Sequence, residues 1–159
     1  METMYDSTDP AMIPDGKFAL LYGTGNYSAR EYTGLSRFPH VLWIDDVGDD
    51  PLGCSILDIE QGAASIGDVV RWCRERYSKR PGPFRLYVYL SEWASIRRDC
   101  QRHFEPEMRA HLHWFVANPT GSPHIVPGSS ATQYAWDQGF DVSLALPRFF
   151  GTEEVAPAG

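Results

Sequence analysis

This 159-residue chain has no long hydrophobic run, no surplus of basic residues and no patterned cysteines. No apolar stretch approaches the ~20 residues of a membrane-spanning helix, so no membrane partner is expected. The net charge is -7, whereas a nucleic-acid binder needs a basic footprint, so no nucleic acid is expected either. The three cysteines, Cys54, Cys73 and Cys100, are odd in number and far apart, with no C-x-x-C. That suggests reduced, mostly buried thiols rather than a zinc cluster or a disulfide framework. There is no G-x-S-x-G elbow to support a serine hydrolase. Gly23-Thr24-Gly25-Asn26 has Ser28 where a dinucleotide fingerprint has its third glycine, and it is no P-loop, so no cofactor is expected. His111 and His113 would share a strand face, but no third ligand has fitting spacing, and no metal is expected. Residues 1–6 lack a signal-peptide pattern, which predicts synthesis in a cytoplasm.

What is present suits a globular domain with a real core. Hydrophobic residues make up 43% of the chain and aromatics 13%, including 5 Trp and 8 Tyr. One domain over 1–150 and a disordered tail over 151–159 are expected. Alternation and turn signals predict strands over 5–8, 17–22, 40–45, 55–60, 84–89, 111–117, 131–136 and 140–144, with Gln61-Gly62 breaking the fourth. A short helix is predicted over 28–35. A second follows Ser65-x-x-Asp68, a capping-box pattern, with Ile66, Val69, Val70, Cys73 and Tyr77 inward and Arg71, Arg74, Arg76 and Lys79 in solvent. Ser91 is placed to cap a third, carrying Trp93, Ile96, Cys100 and Phe104 inward. Strands alternating with helices imply parallel pairing and an α/β fold, here a small, reduced (β/α) barrel of about eight short strands. In such a fold the site lies beyond the carboxyl ends of the strands, where Asp6, Asp45, Asp58, Glu60 and Asp141 fall.

The segment Leu57-Asp58-Ile59-Glu60 carries the most chemistry. Residues two apart in a strand share a face, about 6.6 Å apart along the chain. Two acids so placed push one pKa upward, and one can stay protonated beside an ionised partner. A pair of solvated acids at a loop mouth is the plainer alternative. Trp43, Trp93, Trp114, Trp136, Tyr22 and Tyr89 lie near predicted strand ends, where aromatics either stack on flat ligands or pack the core.

In order along the chain stand Tyr5-Asp6-Ser7, Leu57-Asp58-Ile59-Glu60, Leu86-Tyr87-Val88-Tyr89-Leu90, Trp114-Phe115-Val116-Ala117, Gln133-Tyr134 and Phe140-Asp141-Val142-Ser143. This series resembles the family 25 glycoside hydrolases, lysozymes of the muramidase type, and related domains of actinobacteria and their phages. The resemblance runs from about Tyr5 to Phe150. It implies a compact (β/α) barrel that cleaves the β-1,4 bond after N-acetylmuramic acid in peptidoglycan. It assigns Glu60 as general acid, Asp58 as the acid stabilising the charged intermediate, and Asp6 and Asp141 as further acids of the site. Asp45, Trp43, Tyr89, Gln133 and Tyr134 are the candidate substrate contacts. The implied partners are peptidoglycan or another N-acetylated glycan and other phage virion proteins, met in a virion or at the cell wall after release. Two functions follow: a glycosidase, or a non-catalytic structural or carbohydrate-binding component of a phage particle. The route, whether retaining, inverting or assisted by the substrate's 2-acetamido group, stays open.

Overall fold

The computed structural model describes residues 1–60 and 65–151. The expected strand break at Gln61-Gly62 and the expected tail beyond residue 151 lie outside the described residues. Eight strands close a barrel in sequence order: β1 (Glu2–Asp6), β2 (Phe18–Tyr22), β3 (His40–Asp45), β4 (Ile56–Asp58), β5 (Phe84–Tyr89), β6 (Leu112–Ala117), β7 (Ala131–Asp137) and β8 (Phe140–Ala145). β1 to β7 pair in parallel. β8 departs from the expected parallel order and runs antiparallel to both β7 and β1. Only Gln138 and Gly139 separate β7 from β8, and a parallel return needs a crossover of a dozen or more residues. Gly139 takes a φ of 94°, the left-handed region that a tight hairpin demands.

The helical layer is reduced. α1 (Ile66–Lys79) follows β4, and α2 (Leu90–His103) and α3 (Pro106–Ala110) follow β5; α4 (Pro147–Phe150) follows β8. The predicted helix over 28–35 is absent; 3-10 turns at Gly25–Tyr27 and Leu35–Arg37 flank an irregular stretch. So short a segment, ending at Gly34, does not repay helix nucleation. α1 has the predicted capping box, worth about 1 kcal/mol, but its buried face is Val69, Val70, Trp72 and Cys73, while Ile66 is exposed. Each of these apolar side chains contributes roughly 1.5–3 kcal/mol by leaving water. Arg76, expected in solvent, is buried and donates to the carbonyls of Pro51 and Cys54. Ser91 is not the cap of α2, because β5 runs directly into that helix and Tyr89 occupies the N-cap position. No described helix is long and apolar enough to cross a membrane.

Two cores result. Met4, Leu20, Ile44, Ile56, Tyr87, Phe115, Ala131 and Ala145 fill the barrel, with Phe149 and Phe150 from α4 in the same cluster. Leu57, Ile59, Leu86, Val88 and Val116 point outward against Trp72, Cys73, Trp93 and Cys100 of the helices. Phase along each strand therefore decides which side chains reach the barrel mouth.

Candidate active site

Met4 lies in the barrel, so Asp6, two residues on, continues the interior row to the mouth. Ile56 does the same for Asp58. The N–H of Ile59 still bonds the Tyr87 carbonyl at 3.0 Å, so the pleat carries past β4 and Glu60 keeps the phase of Asp58. On β5 the interior row is Arg85, Tyr87 and Tyr89, and on β7 it includes Ala131 and Gln133. On β8, Asp141 faces Asp6 directly across the antiparallel ladder. The structure thus gathers Asp6, Asp58, Glu60, Asp141, Gln133 and Tyr89 at one end of the barrel.

Burial sets their charges. It pushes Asp58 up to about 6, opposed by the Glu60 backbone N–H, which donates to Asp58 Oδ1 at 2.9 Å. Glu60, half-buried, is pushed up to about 7 by burial first and by the Asp58 carboxylate second. The Tyr89 hydroxyl donates to Glu60 and holds it partly down. Tyr87 gives its own proton to Gln133 Oε1 at 2.5 Å, which leaves Tyr89 as the principal hydroxyl donor for Glu60. With its oxygen so engaged, Gln133 turns its NH₂ toward Asp141, whose carboxyl burial raises, and offsets a small part of that rise.

Asp6 is buried, and no described donor reaches its Oδ2. Burial, then Asp141, Asp58 and Glu60, raise its pKa well above the usual carboxylate range. A proton on Asp6, given to Asp141, satisfies that oxygen; burial still holds Asp141 above its ordinary value, and the hydrogen bond from Asp6 offsets that rise only in part. The pair carries one charge and one proton, as like acids in contact do. Tyr22 faces the same acids, and burial followed by Asp6 keeps its hydroxyl protonated.

Asp45 and Trp43 are placed elsewhere. They follow Val41 on the outer face of β3, out of phase with Leu42 and Ile44 inside. Asp45 is fully buried and accepts from Thr24 Oγ1, from the N–H groups of Val47, Gly48 and Asp50, and from Trp72 Nε1 at 2.8 Å. Burial raises this carboxyl, but the Asp50 and Gly48 amides, with Trp72 and Thr24, outweigh it and hold the group below its ordinary value. Asp45 organises its own loop. The ring of Trp43 is covered by the Arg30 guanidinium, 4.1 Å from its centroid. Tyr134 stands at a register shift between Gln133 and Ala135, beside the interior row rather than in it.

The histidine pair separates as well. His113 contacts Ser130 Oγ at 3.2 Å, and burial lowers it to about 4; His111 lies against Tyr77, ring centroids 5.3 Å apart. Among the described residues, no group of three or more His, Cys, Asp or Glu side chains is arranged to hold a metal ion.

Tyr87, Ser7 and Thr8 were not singled out from the sequence as contributors. The phase of Tyr87 with Tyr89 was the available signal. Asp6, Ser7, Thr8, Tyr22, Trp136, Asp137, Gly139, Phe140 and Asp141 line an open cleft of about 330 Å³ at this mouth.

No protein-family model matches the chain, and no curated protein matches it. Among solved structures it is similar to GHIP, a glycosyl hydrolase 25 of Streptococcus pneumoniae described as a virulence factor participating in host cell invasion. The TM-score is 0.56 at 13% identity, over 92% of this chain and 87% of that one. That likeness shows the fold: the chain shares a small α/β barrel with that hydrolase.

Proposed function

We propose that this protein is a glycoside hydrolase that cleaves the glycan strands of peptidoglycan by carboxylate acid/base chemistry. The observation that carries the proposal is Glu60, pushed up to about 7 beside Asp58 at about 6, at the mouth of a barrel of this fold. A glycosidase needs one protonated and one ionised carboxyl at the scissile bond. Near neutral pH, Glu60 keeps its proton in a large share of molecules while Asp58 is mostly ionised.

Glu60 gives its proton to the glycosidic oxygen as the bond from that oxygen to C1 breaks. The positive charge then growing on the sugar ring faces Asp58 and the single negative charge of the Asp6–Asp141 pair. Two routes complete the reaction. The carbonyl oxygen of the 2-acetamido group bonds to C1, Asp58 balances the charge on its nitrogen, and water later opens the ring with Glu60 as base. Otherwise a water attacks C1 directly as a carboxylate takes its proton, and the configuration inverts. The fold likeness supports the reaction class. The peptidoglycan substrate, and action in a phage particle or at the wall after release, rest on the motif resemblance.

The test is digestion of peptidoglycan with mass analysis of the released fragments, with Glu60→Gln alongside. New reducing ends at N-acetylmuramic acid, lost in a normally folded Glu60→Gln, are the expected result. No release by either protein would overturn the enzyme reading and leave a non-catalytic, glycan-binding role.

A further inference from the structure

Trp136 is the most exposed aromatic side chain among the described residues, at 68%. It is the cross-strand partner of Asp141, so both side chains leave the same face of the β7–β8 ladder, with Cβ atoms roughly 5 Å apart. Both line the open cleft, and Tyr22 contributes to the same wall. The hairpin that carries Trp136 is clamped: Ser7 Oγ donates to the Gly139 carbonyl at 2.5 Å and ties the turn to the end of β1. A large aromatic held on a fixed turn, beside acids and open to water, offers binding area at little ordering cost. Asp6, Asp137 and Asp141 are among the cleft's lining residues, and no Lys or Arg is.

We propose that Trp136 is the floor of a subsite for an uncharged pyranose, an N-acetylglucosamine-type sugar. Its C–H face lies on the indole and its polar edge turns toward Asp6 and Asp141. The apolar face of an equatorially substituted pyranose matches a flat ring, and its hydroxyl and amide groups suit the acids at the edge. Muramic acid instead carries a lactyl branch on O3, either free as a carboxylate or extended by a stem peptide with carboxylates of its own, and that branch would bring bulk and like charge against Asp137 and the Asp6–Asp141 pair. The neutral sugar of an alternating strand is therefore the one seated here. The inference rests on the glycosidase reading and adds which sugar occupies which position.

The experiment uses the full chain carrying Glu60→Gln, so that binding is read without turnover, and the neutral N-acetylglucosamine tetramer as probe. Calorimetry gives Kd, and indole emission reports contact. Trp72, Trp93 and Trp114 are buried and Trp43 is covered by Arg30, so a shift in emission reports Trp136. Adding Trp136→Ala weakens binding about tenfold or more, while Trp136→Phe keeps it within about threefold and abolishes the emission change. In the active protein, Trp136→Ala raises KM and leaves kcat nearly unchanged, the mark of binding shared by ground and transition states. Tetramer binding that is indifferent to Trp136→Ala would overturn the subsite and leave the glycosidase reading intact. So would peptidoglycan cleavage by a protein that does not bind the neutral tetramer. Neither binding nor cleavage would remove both.

Discussion

Replacing Asp58 with Asn should stabilise the protein above neutral pH while abolishing its proposed activity. Asp58 is 8% exposed, and burial lifts its carboxyl from an ordinary 3.8 to about 6. The unfolded chain releases this proton near the ordinary value, whereas the folded chain holds it until about pH 6. Between those points the unfolded state binds fewer protons, so stability falls as pH rises. The contribution is complete below the unfolded pKa and gone above the folded one. A shift of about two units corresponds to about 3 kcal/mol. Asn cannot ionise, and its side-chain oxygen can still accept from the Glu60 N–H. Asp58→Asn should therefore match the wild type near pH 3.5 and exceed it by up to about 3 kcal/mol at pH 8. At 2–4 °C per kcal/mol for a chain of this size, that is a rise of roughly 6–12 °C in Tm. Urea and thermal unfolding of both proteins from pH 3.5 to 8 give the comparison. Parallel curves, or a variant less stable at pH 8, would refute the reasoning. A gain in stability with loss of cleavage is the trade expected where a buried charge is kept for chemistry.

Two further outcomes follow from the same charges. Activity on peptidoglycan should be bell-shaped in pH, rising as Asp58 ionises near 6 and falling as Glu60 loses its proton near 7, so kcat/KM peaks at about pH 6.5; a profile still climbing from pH 7 to 9 would contradict Glu60 as the acid. Asp45→Ala should lower the unfolding free energy by roughly 3 kcal/mol or more, because it strands the buried Trp72 indole and the amides of Gly48 and Asp50. Because Asp45 is held below its ordinary pKa, its contribution is present above the unfolded value and is lost as pH falls through the folded one. A loss of peptidoglycan cleavage in Asp45→Ala without any change in urea midpoint would instead place Asp45 in the site.

The contrast between Asp45 and Asp58 marks how far the sequence could be read. Both end apolar strands, and both were expected at the mouth. β4 is buried on both faces and β3 carries apolar side chains on both, so hydrophobic periodicity does not distinguish inside from outside. Barrel closure makes the distinction: Leu42 and Ile44 go in, which sends Asp45 out, while Ile56 goes in and takes Asp58 with it. The shared phase of Asp58 and Glu60 was legible because it is local, as was the capping box of α1. The Tyr87–Gln133 bond joins residues 46 apart, and Arg76 finds its carbonyls 22 and 25 residues away. No local pattern announces partners at such separations.

Asp141 shows how much the direction of one strand matters. It is the second residue of β8, and in a barrel of uniformly parallel strands the first residues lie at the end opposite the mouth. Running β8 backward brings Asp141 level with Asp6 and puts Ala145 level with Glu2 at the far end. A parallel β8 would reverse this, setting Ala145 at the mouth and leaving Asp6 without the acceptor for its proton. The same two-residue turn places Trp136 beside Asp141. The hairpin that breaks the parallel order thus brings the fourth acid and an exposed tryptophan to the same cleft. The turn residues Gln138 and Gly139, which carry none of the chemistry themselves, decide both placements.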